Sequence, residues 1–528
     1  MKNFLITASV FFGICFIYIL IMLSTTGNYF TYLLDDAYIH LAMAKNFAVH
    51  GVWGMTPYAF SSSSSSPVFT FILSVLISVF GNHTLLPLIF NIVSAGVLMV
   101  FLNKYYLLFF NQNKHIVLAS LFTLFFAVIH VQIVTGMEHV LQVLMVAVTI
   151  YCFQKWRSSN FKDRLFSYAF YSSLMLLGLI RFESMFYFVS LAFVFTLTGQ
   201  FKRSILVLLF GFVPILLFGI FNYPKSGYFF PNSVVIKGTL LDFSGNVPAQ
   251  VINIVLKKLI INISFYKIGL FPLLISIILI YKDYRKKLNF QKVMRNNFLI
   301  ITWCFTLVLH CLFGEIKGVF RYEAYLLVAF AMILIPRLKL FVTQPLQAFK
   351  TEKITGLLVI ANLLLLIYKC GYAHMVITNG SANIYEQQIQ SARFLKKYYN
   401  TSNVVANDIG AICYFTDIHL LDFMGLGSKE MVYFRLKDKK PDQEFEEFLT
   451  QYTAKNNYQL AIAYEEWLDG HTPKNWKKVA YLEIGGKNVV LGEKHLFIYS
   501  INPEIHQSLK QNIKAFKWTQ NIKVKIIE

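Results

Sequence analysis

Mostly apolar stretches separated by short polar loops decide what this chain can fold into. They lie near residues 4–23, 85–102, 116–135, 138–154, 166–180, 183–198, 204–222, 265–281, 297–313, 318–336 and 354–371, eleven in all. A helix needs roughly 20 apolar residues to cross the hydrocarbon core of a bilayer. The chain therefore reads as a polytopic α-helical membrane protein with about 11 transmembrane helices. Segment 67–80 is apolar but has only 14 residues, which predicts a helix at or dipping into the interface, with a twelfth crossing as the alternative. Composition agrees. Of 528 residues, 56% are apolar and 14% charged, against about 25% charged in soluble proteins. An ordinary soluble enzyme and a disordered chain are both excluded. The first run follows Lys2 and lacks a small-x-small cleavage pattern, which predicts an uncleaved anchor.

The net charge of +21 is unevenly placed. Residues 1–371 hold 29 Lys/Arg and 10 Asp/Glu, while residues 372–528 hold 19 and 17. The excess belongs to the apolar part, where it signals membrane orientation and not a nucleic-acid-binding face. Basic clusters fall at Lys155–Arg164, Lys202–Arg203, Lys282–Arg295 and Arg337–Lys353. Starting inside and crossing eleven times puts all four in the cytoplasm, with 19 basic residues against three acids there. The opposite loops hold ten basic residues and seven acids. Residues 372–528 then lie outside. They are polar, with a predicted amphipathic helix at Ala382–Lys397 and strands at Asn403–Asn407, Tyr458–Tyr464 and Lys494–Ser500. The expected organisation is a membrane domain, 1–371, and a C-terminal mixed α/β extracytoplasmic domain, 372–528, large enough to bury its own core. Of six cysteines only Cys413 lies within that domain, so no disulfide framework is expected, and no zinc-ligand spacing occurs.

Ionisable residues beside membrane spans are functional candidates by default. The topology collects them on the outer face: Asp35, Asp36, Glu138, Arg181, Glu183, Lys225, Asn232, Lys237, Glu315, Lys317, Arg321 and Glu323. Asp35 and Asp36 follow the first span and open an amphipathic helix. Repulsion and partial burial would raise the pKa of at least one. Such a carboxylate can deprotonate a hydroxyl, bind a divalent cation, or simply cap its helix. Asp36 and His40 stand four apart on one helix face, suiting a proton relay, a metal pair or a plain surface contact. Arg181 and Arg321 suit a phosphate clamp, or salt bridges to Glu183 and Glu323. The run Ser61–Ser66 before Pro67 reads as a helix start, with Ser66 as cap and Pro67 at the first helical position.

At these residues the chain resembles the GT-C glycosyltransferases, in particular the group containing the mycobacterial terminal arabinofuranosyltransferase. Asp35-Asp36-Ala37-Tyr38-Ile39, His50-Gly51 and Ser65-Ser66-Pro67 are similar to that family's first outer loop. Thr135-Gly136-Met137-Glu138, Arg181-Phe182-Glu183 and Phe230-Pro231-Asn232-Ser233 with Lys237 resemble its later motifs. Asp408-Ile409-Gly410 through Tyr414-Phe415, with Asp422 and Gly425-Leu426, resembles its outer-domain signature. Phe182, Ser184 and Val68-Phe69 depart from the pattern, and Met55–Phe60 lacks the family's Gly-Glu-rich loop.

The resemblance implies an integral membrane glycosyltransferase, typically inverting. It would move a sugar from a polyprenyl-phosphate donor to a cell-envelope glycan or lipid acceptor, with lipopolysaccharide among the candidates. The site would face the periplasm, outside the bacterial cytoplasmic membrane. Asp36 or Asp35 would be the base. Arg181, Lys237 and Arg321 would hold the leaving phosphate. Glu138, Glu183, His40 and Asn232 would orient these cations or bind sugar. Asp408 and Asp422 would bind acceptor or dock the outer domain; turns ending strands explain them equally well. No cofactor is implied beyond a possible divalent cation at Asp35/Asp36, and the metal question stays open. No nucleic acid partner is expected. The competing class is a polytopic transporter or flippase of envelope precursors, which should carry mid-membrane ionisable groups or repeats.

Overall fold

The computed structural model describes residues 2–239, 241, 243–316, 321–437 and 440–527. Each apolar run falls on a helix or on consecutive helices. Among the described residues, Lys2–Thr25, Leu86–Tyr106, Phe201–Ser226 and Lys353–Tyr398 are each long and apolar enough to cross a membrane. Two bent pairs raise these four to six: Asn113–Phe126 with Ile129–Thr135, at 49°, and Phe290–Asn296 with Phe298–Phe313, at 76°. Pro67–Phe80, Arg164–Ile180, Ser184–Leu197 and Ala324–Arg337 are shorter apolar helices. Leu5, Phe16, Leu217, Ile220, Leu364 and Ile367 are among many large apolar side chains left exposed. That is how a helix presents itself to lipid and not to water.

The first bend has a local cause. Val128 adopts φ +55°, a left-handed conformation that a β-branched residue takes only under constraint. The break leaves the Phe126 carbonyl without its helical donor. The Lys369 ammonium, fully buried, donates to it at 3.4 Å and lies 4.2 Å from the Phe126 ring centre. Pro67–Phe80 begins with proline at its first position, as the sequence predicts, although Ser66 makes no side-chain cap. This helix packs along Asp36–His50.

The C-terminal part, the outer part of the expected topology, is a six-stranded mixed sheet. Its strands are β1 (Asn403–Ala406), β2 (His419–Asp422), β3 (Leu460–Ala463), β4 (Lys477–Glu483), β5 (His495–Ser500) and β6 (Lys523–Ile526), in the order β2-β1-β3-β5-β4-β6. β1 runs parallel to β2 and β3, and the remaining pairs are antiparallel. The expected boundary at 371/372 falls inside the continuous helix Lys353–Tyr398, which carries the chain out of the apolar region. A π-helical turn at Tyr385–Ile389 interrupts its regular hydrogen bonding and buries Gln387 and Gln388.

The C-terminal part is fastened to the helix and loop that follow the first helix. Lys45 donates to the Tyr414 carbonyl at 3.0 Å and pairs with Asp417 at 3.6 Å. The Tyr58 ring stacks on His419 with centroids 3.9 Å apart.

Candidate active site

The chain leaves its first helix and starts the next, Asp36–His50, at the adjacent aspartates. The two part company immediately. Asp35 occupies the N-cap position of this helix, yet its carboxylate makes no cap bond to it. It accepts instead from the backbone N–H groups of Gly410 at 2.6 Å and Ala411 at 2.8 Å. These begin the helix Gly410–Phe415 of the outer part. The carboxylate therefore satisfies orphan N–H donors of a different helix, where the dipole favours negative charge. The structure thus turns Asp35 to fastening the two parts, one backbone N–H on each carboxylate oxygen, and leaves Asp36 as the one of the pair that faces the cavity. Burial, then the charge of Asp36, pushes the Asp35 carboxyl up to about 6, against the pull of the two N–H groups.

Asp36 faces a cavity of about 290 Å³ and pairs through Oδ2 with Nη1 of Arg321. Burial works to raise its carboxyl, but Arg321 and then Lys237 outweigh it and hold the group below the usual carboxylate range. Asp36 is thus an ionised carboxylate of the cavity.

A second network lies beside it. Glu138 is fully buried in the turn before the helix His139–Ser158. It receives His40 Nε2 at 3.1 Å and Arg181 Nη1 at 2.7 Å. Burial disfavours its charge, and His40 with Arg181 more than reverses the effect, so its carboxyl sits well below the ordinary range. Arg181 also donates to Ser65 Oγ at 3.1 Å and to both Glu183 oxygens, with Nε to Oε2 at 3.0 Å. Arg181 therefore takes the salt-bridge alternative, doing so while lining the cavity. Arg321 pairs with Asp36 instead of Glu323. The pairing of Asp36 with His40 suggested by their spacing gives way to His40–Glu138, because His40 turns inward, its Nδ1 lying 2.9 Å from Thr70 Oγ1.

Lys237 ends the short helix Asn232–Lys237 and lines the cavity. Asn232 does not line it. Its backbone N–H donates to the Ser62 carbonyl at 2.8 Å and its Nδ2 to the Leu426 carbonyl at 3.4 Å, so it ties this helix to the serine run and to the outer part. Glu315 lines the cavity; Lys317 lies outside the described residues.

Asp408 and Asp422 both sit away from the cavity lining. Asp408 Oδ2 accepts from Gln388 Nε2 at 2.9 Å and Tyr464 OH at 2.8 Å. Burial, then the nearby Asp35, pushes its carboxyl up to about 8. Asp422 ends β2 and accepts from Met424 N at 2.8 Å and Gly427 N at 2.7 Å, which is the turn role. Burial raises it to about 6 against those bonds. The turn it shapes presents Leu426 to the cavity.

Four contributors were given no role of their own from the sequence. Tyr322 lies 5.2 Å and 5.0 Å from the Arg181 and Arg321 guanidinium carbons, measured to its ring centre, within cation–π range. Ser63, Ser65 and Ser233 line the cavity. The serine run was visible as low complexity, but only its burial reveals a wall of hydroxyls. No group of three or more metal-ligating side chains occurs among the described residues. A divalent cation at Asp35/Asp36 would have to displace Arg321 or the Gly410 and Ala411 N–H donors.

The overall fold has a counterpart among solved structures. The same fold occurs in ArnT from Cupriavidus metallidurans. Its structure bound to undecaprenyl phosphate aligns with a TM-score of 0.52 at 10% identity, over 94% of this chain and 98% of that one. Its apo structure gives 0.52 at 12% identity with the same coverage. The archaeal oligosaccharyltransferase AglB from Archaeoglobus fulgidus, in complex with an inhibitory peptide and a dolichol-phosphate, gives 0.46 at 12% identity, over 94% of this chain and 74% of that one. The architecture, helices carrying a small C-terminal sheet, is thus one this chain shares with ArnT. A family model described as a domain of unknown function (DUF8728) matches residues 382–499. No curated protein matches the sequence.

Proposed function

We propose that this chain is an integral membrane glycosyltransferase. In this reading it moves a sugar from a polyprenyl-phosphate donor to an envelope glycan or lipid acceptor at the outer face of the bacterial cytoplasmic membrane, inverting the anomeric centre. The observation that carries the reading is the pairing of an ionised Asp36 with Arg321 in a cavity that also holds Arg181, Lys237 and the apolar side chains Phe182, Met185, Phe186 and Phe313. A base, fixed cations and a greasy wall in one space suit a donor that is lipid at one end and phosphosugar at the other. ArnT, which shares the fold, was solved with undecaprenyl phosphate, and that supports the lipid class.

Asp36 accepts the proton of the acceptor hydroxyl as its oxygen bonds to the anomeric carbon. The bond from that carbon to the phosphate oxygen breaks, and the electron pair leaves with the polyprenyl phosphate. The charge developing there is met by Arg321, Lys237 and Arg181, preorganised in a site of low dielectric. Arg321 has two tasks. It holds Asp36 ionised before the donor arrives, and it turns to the phosphate afterwards, which restores basicity to Asp36. Ser65 and Ser233 offer hydroxyls to the sugar. Arg321 and Lys237 supply the positive charge that a divalent cation would otherwise bring, so transfer is proposed to be metal-independent.

The eleven-crossing topology, with the N-terminus in the cytoplasm and residues 372–528 outside, belongs to the same proposal. The test is consumption of a polyprenyl-phosphate sugar by the purified chain in the presence of envelope extract. Asp36→Asn is expected to lose more than about 100-fold in turnover, the range of a removed general base, while melting at the wild-type temperature. Full activity in that variant overturns the proposal.

A further inference from the structure

A second hollow, of about 430 Å³, opens where the first outer loop meets the outer sheet. One wall is Met55, Thr56, Ala59, Phe60 and Ser61; the other is the end of β2 with Gly427–Glu430, and Tyr452. Lys225 stands between them. We propose that this cleft is the acceptor subsite and that it takes an acidic saccharide; the inference rests on the transferase reading and names the ligand class of its second substrate.

The cleft and the catalytic cavity share their partitions. Ser61 lines the cleft, Ser63 and Ser65 line the cavity, and Ser61 Oγ lies 3.1 Å from Ser63 Oγ. Across the gap Gly427 lines the cleft and its neighbour Leu426 the cavity. Ser61 and Ser65 stand four residues apart, at most about 13 Å of chain, so the cleft and the cavity are near neighbours; in this proposal a saccharide of more than one unit rests in the cleft and turns its terminal hydroxyl to Asp36. The apolar wall lies on the cavity and the cleft lining is largely polar, which separates a lipid entrance from a glycan entrance.

Both walls are held. Thr56 and Ala59 pair as a β-bridge, and Gly54 packs so tightly on the Ala59 backbone that a Cβ has no room. Opposite, Asp422 secures Met424 and Gly427, and the Ser428 hydroxyl accepts from the Asp422 N–H at 2.8 Å. The chemistry of the lining selects the ligand. Lys225 is placed by two rings, its ammonium 3.9 Å from the Phe221 centre and 5.2 Å from that of Phe60. Lys429 adds a second cation against the single acid Glu430, and Phe60 and Tyr452 offer flat faces to sugar rings. Cations fixed beside aromatic faces suit a carboxylate-bearing glycan over a neutral one.

The test titrates the full chain in neutral-lipid nanodiscs with a hyaluronan hexasaccharide and with maltohexaose, by thermophoresis. The acidic probe is expected to bind at least 10-fold more tightly, and the preference to fall below threefold in Lys225→Gln/Lys429→Gln. Both lysines are exposed, and an unchanged melting temperature certifies the fold. Asp36→Asn keeps the preference, since its carboxylate lines the neighbouring space. Equal binding of the two probes, or a preference untouched by the double variant, overturns the subsite. Displacement of the acidic probe by phosphatidylglycerol in the nanodisc assigns the cleft to lipid headgroups and also overturns it. Full turnover by Asp36→Asn is a separate failure, that of the transferase reading, and does not alter the binding ratio.

Discussion

Two adjacent aspartates face different partners, Asp36 the cavity cations and Asp35 the backbone of a distant helix, and each makes a distinct prediction. Asp36 is held ionised by Arg321 and Lys237. The sign follows: a carboxyl lowered by cations stays charged to more acidic pH, so the acid limb of the pH–rate profile falls below the ordinary carboxylate range. Arg321→Gln removes the leading cation, raises the Asp36 pKa and moves that limb upward, while also lowering turnover through loss of a phosphate contact. A limb that stays in place in a pH–rate series rejects Arg321 as the partner that sets it. Asp35→Ala strands two N–H groups at the start of Gly410–Phe415. Charge-assisted bonds of this kind are worth about 1.5–3 kcal/mol each, partly recovered by water at the partly open junction. Thermal unfolding should show a loss of a few kcal/mol, and Asp35→Asn a smaller one, since its amide oxygen still accepts. The sequence allowed a base, a cation ligand or a cap for both aspartates. It could not separate them, because the cap that Asp35 forms lies on a helix 375 residues further along the chain.

At the scale of elements, the helix Gly410–Phe415 is the joint. A Cβ on Gly410 would collide with the Asp35 backbone carbonyl and carboxylate, so the glycine is required by close approach and not by its own backbone angle. Gly410→Val should spring the outer part from the first loop, seen as faster amide exchange across 410–415, while the helices of the apolar region exchange as before. Identical exchange in the two chains removes the joint. Helices were the legible part of the sequence, since apolar runs of membrane length have one economical solution. Strands were legible at β1, β3 and β5, while β4, Lys477–Glu483, was missed although Val479–Leu482 is apolar. β2 was missed: four residues ending in the Asp422 turn carry too short a pattern. β6, Lys-Val-Lys-Ile on the sheet edge, was missed because half its residues face solvent. The cavity was legible as a set of charges beside the apolar runs, but their pairing was not. His40–Glu138 and Arg321–Asp36 join residues 98 and 285 positions apart, and no local spacing encodes that.

Over the whole molecule the junction between the two parts carries a buried acid cluster whose charge depends on pH. Asp35 is raised to about 6 and Asp408 to about 8. Both lie above the ordinary value of about 3.9, so between these limits the assembled protein binds more protons than the separated or unfolded chain. Stability conferred by the protonated forms is complete below about pH 4 and declines as pH rises through 6 and then 8. Docking should therefore loosen as pH rises across about 6–8, with the two carboxyls titrating together as a pair. Asp408→Asn imitates the protonated carboxyl and can still accept from Tyr464 and Gln388; it should keep the joint closed at pH 8. Limited proteolysis at pH 6 and pH 8 reads this directly, as cleavage near 410–415 that rises with pH in the wild-type chain and stays flat in the variant. Cleavage that falls with pH, or rises equally in both chains, shows that these carboxyls do not control the junction. A closed joint also keeps Leu426 against the cavity, so the same pH rise should depress transfer in step with proteolysis, and Asp408→Asn should protect both.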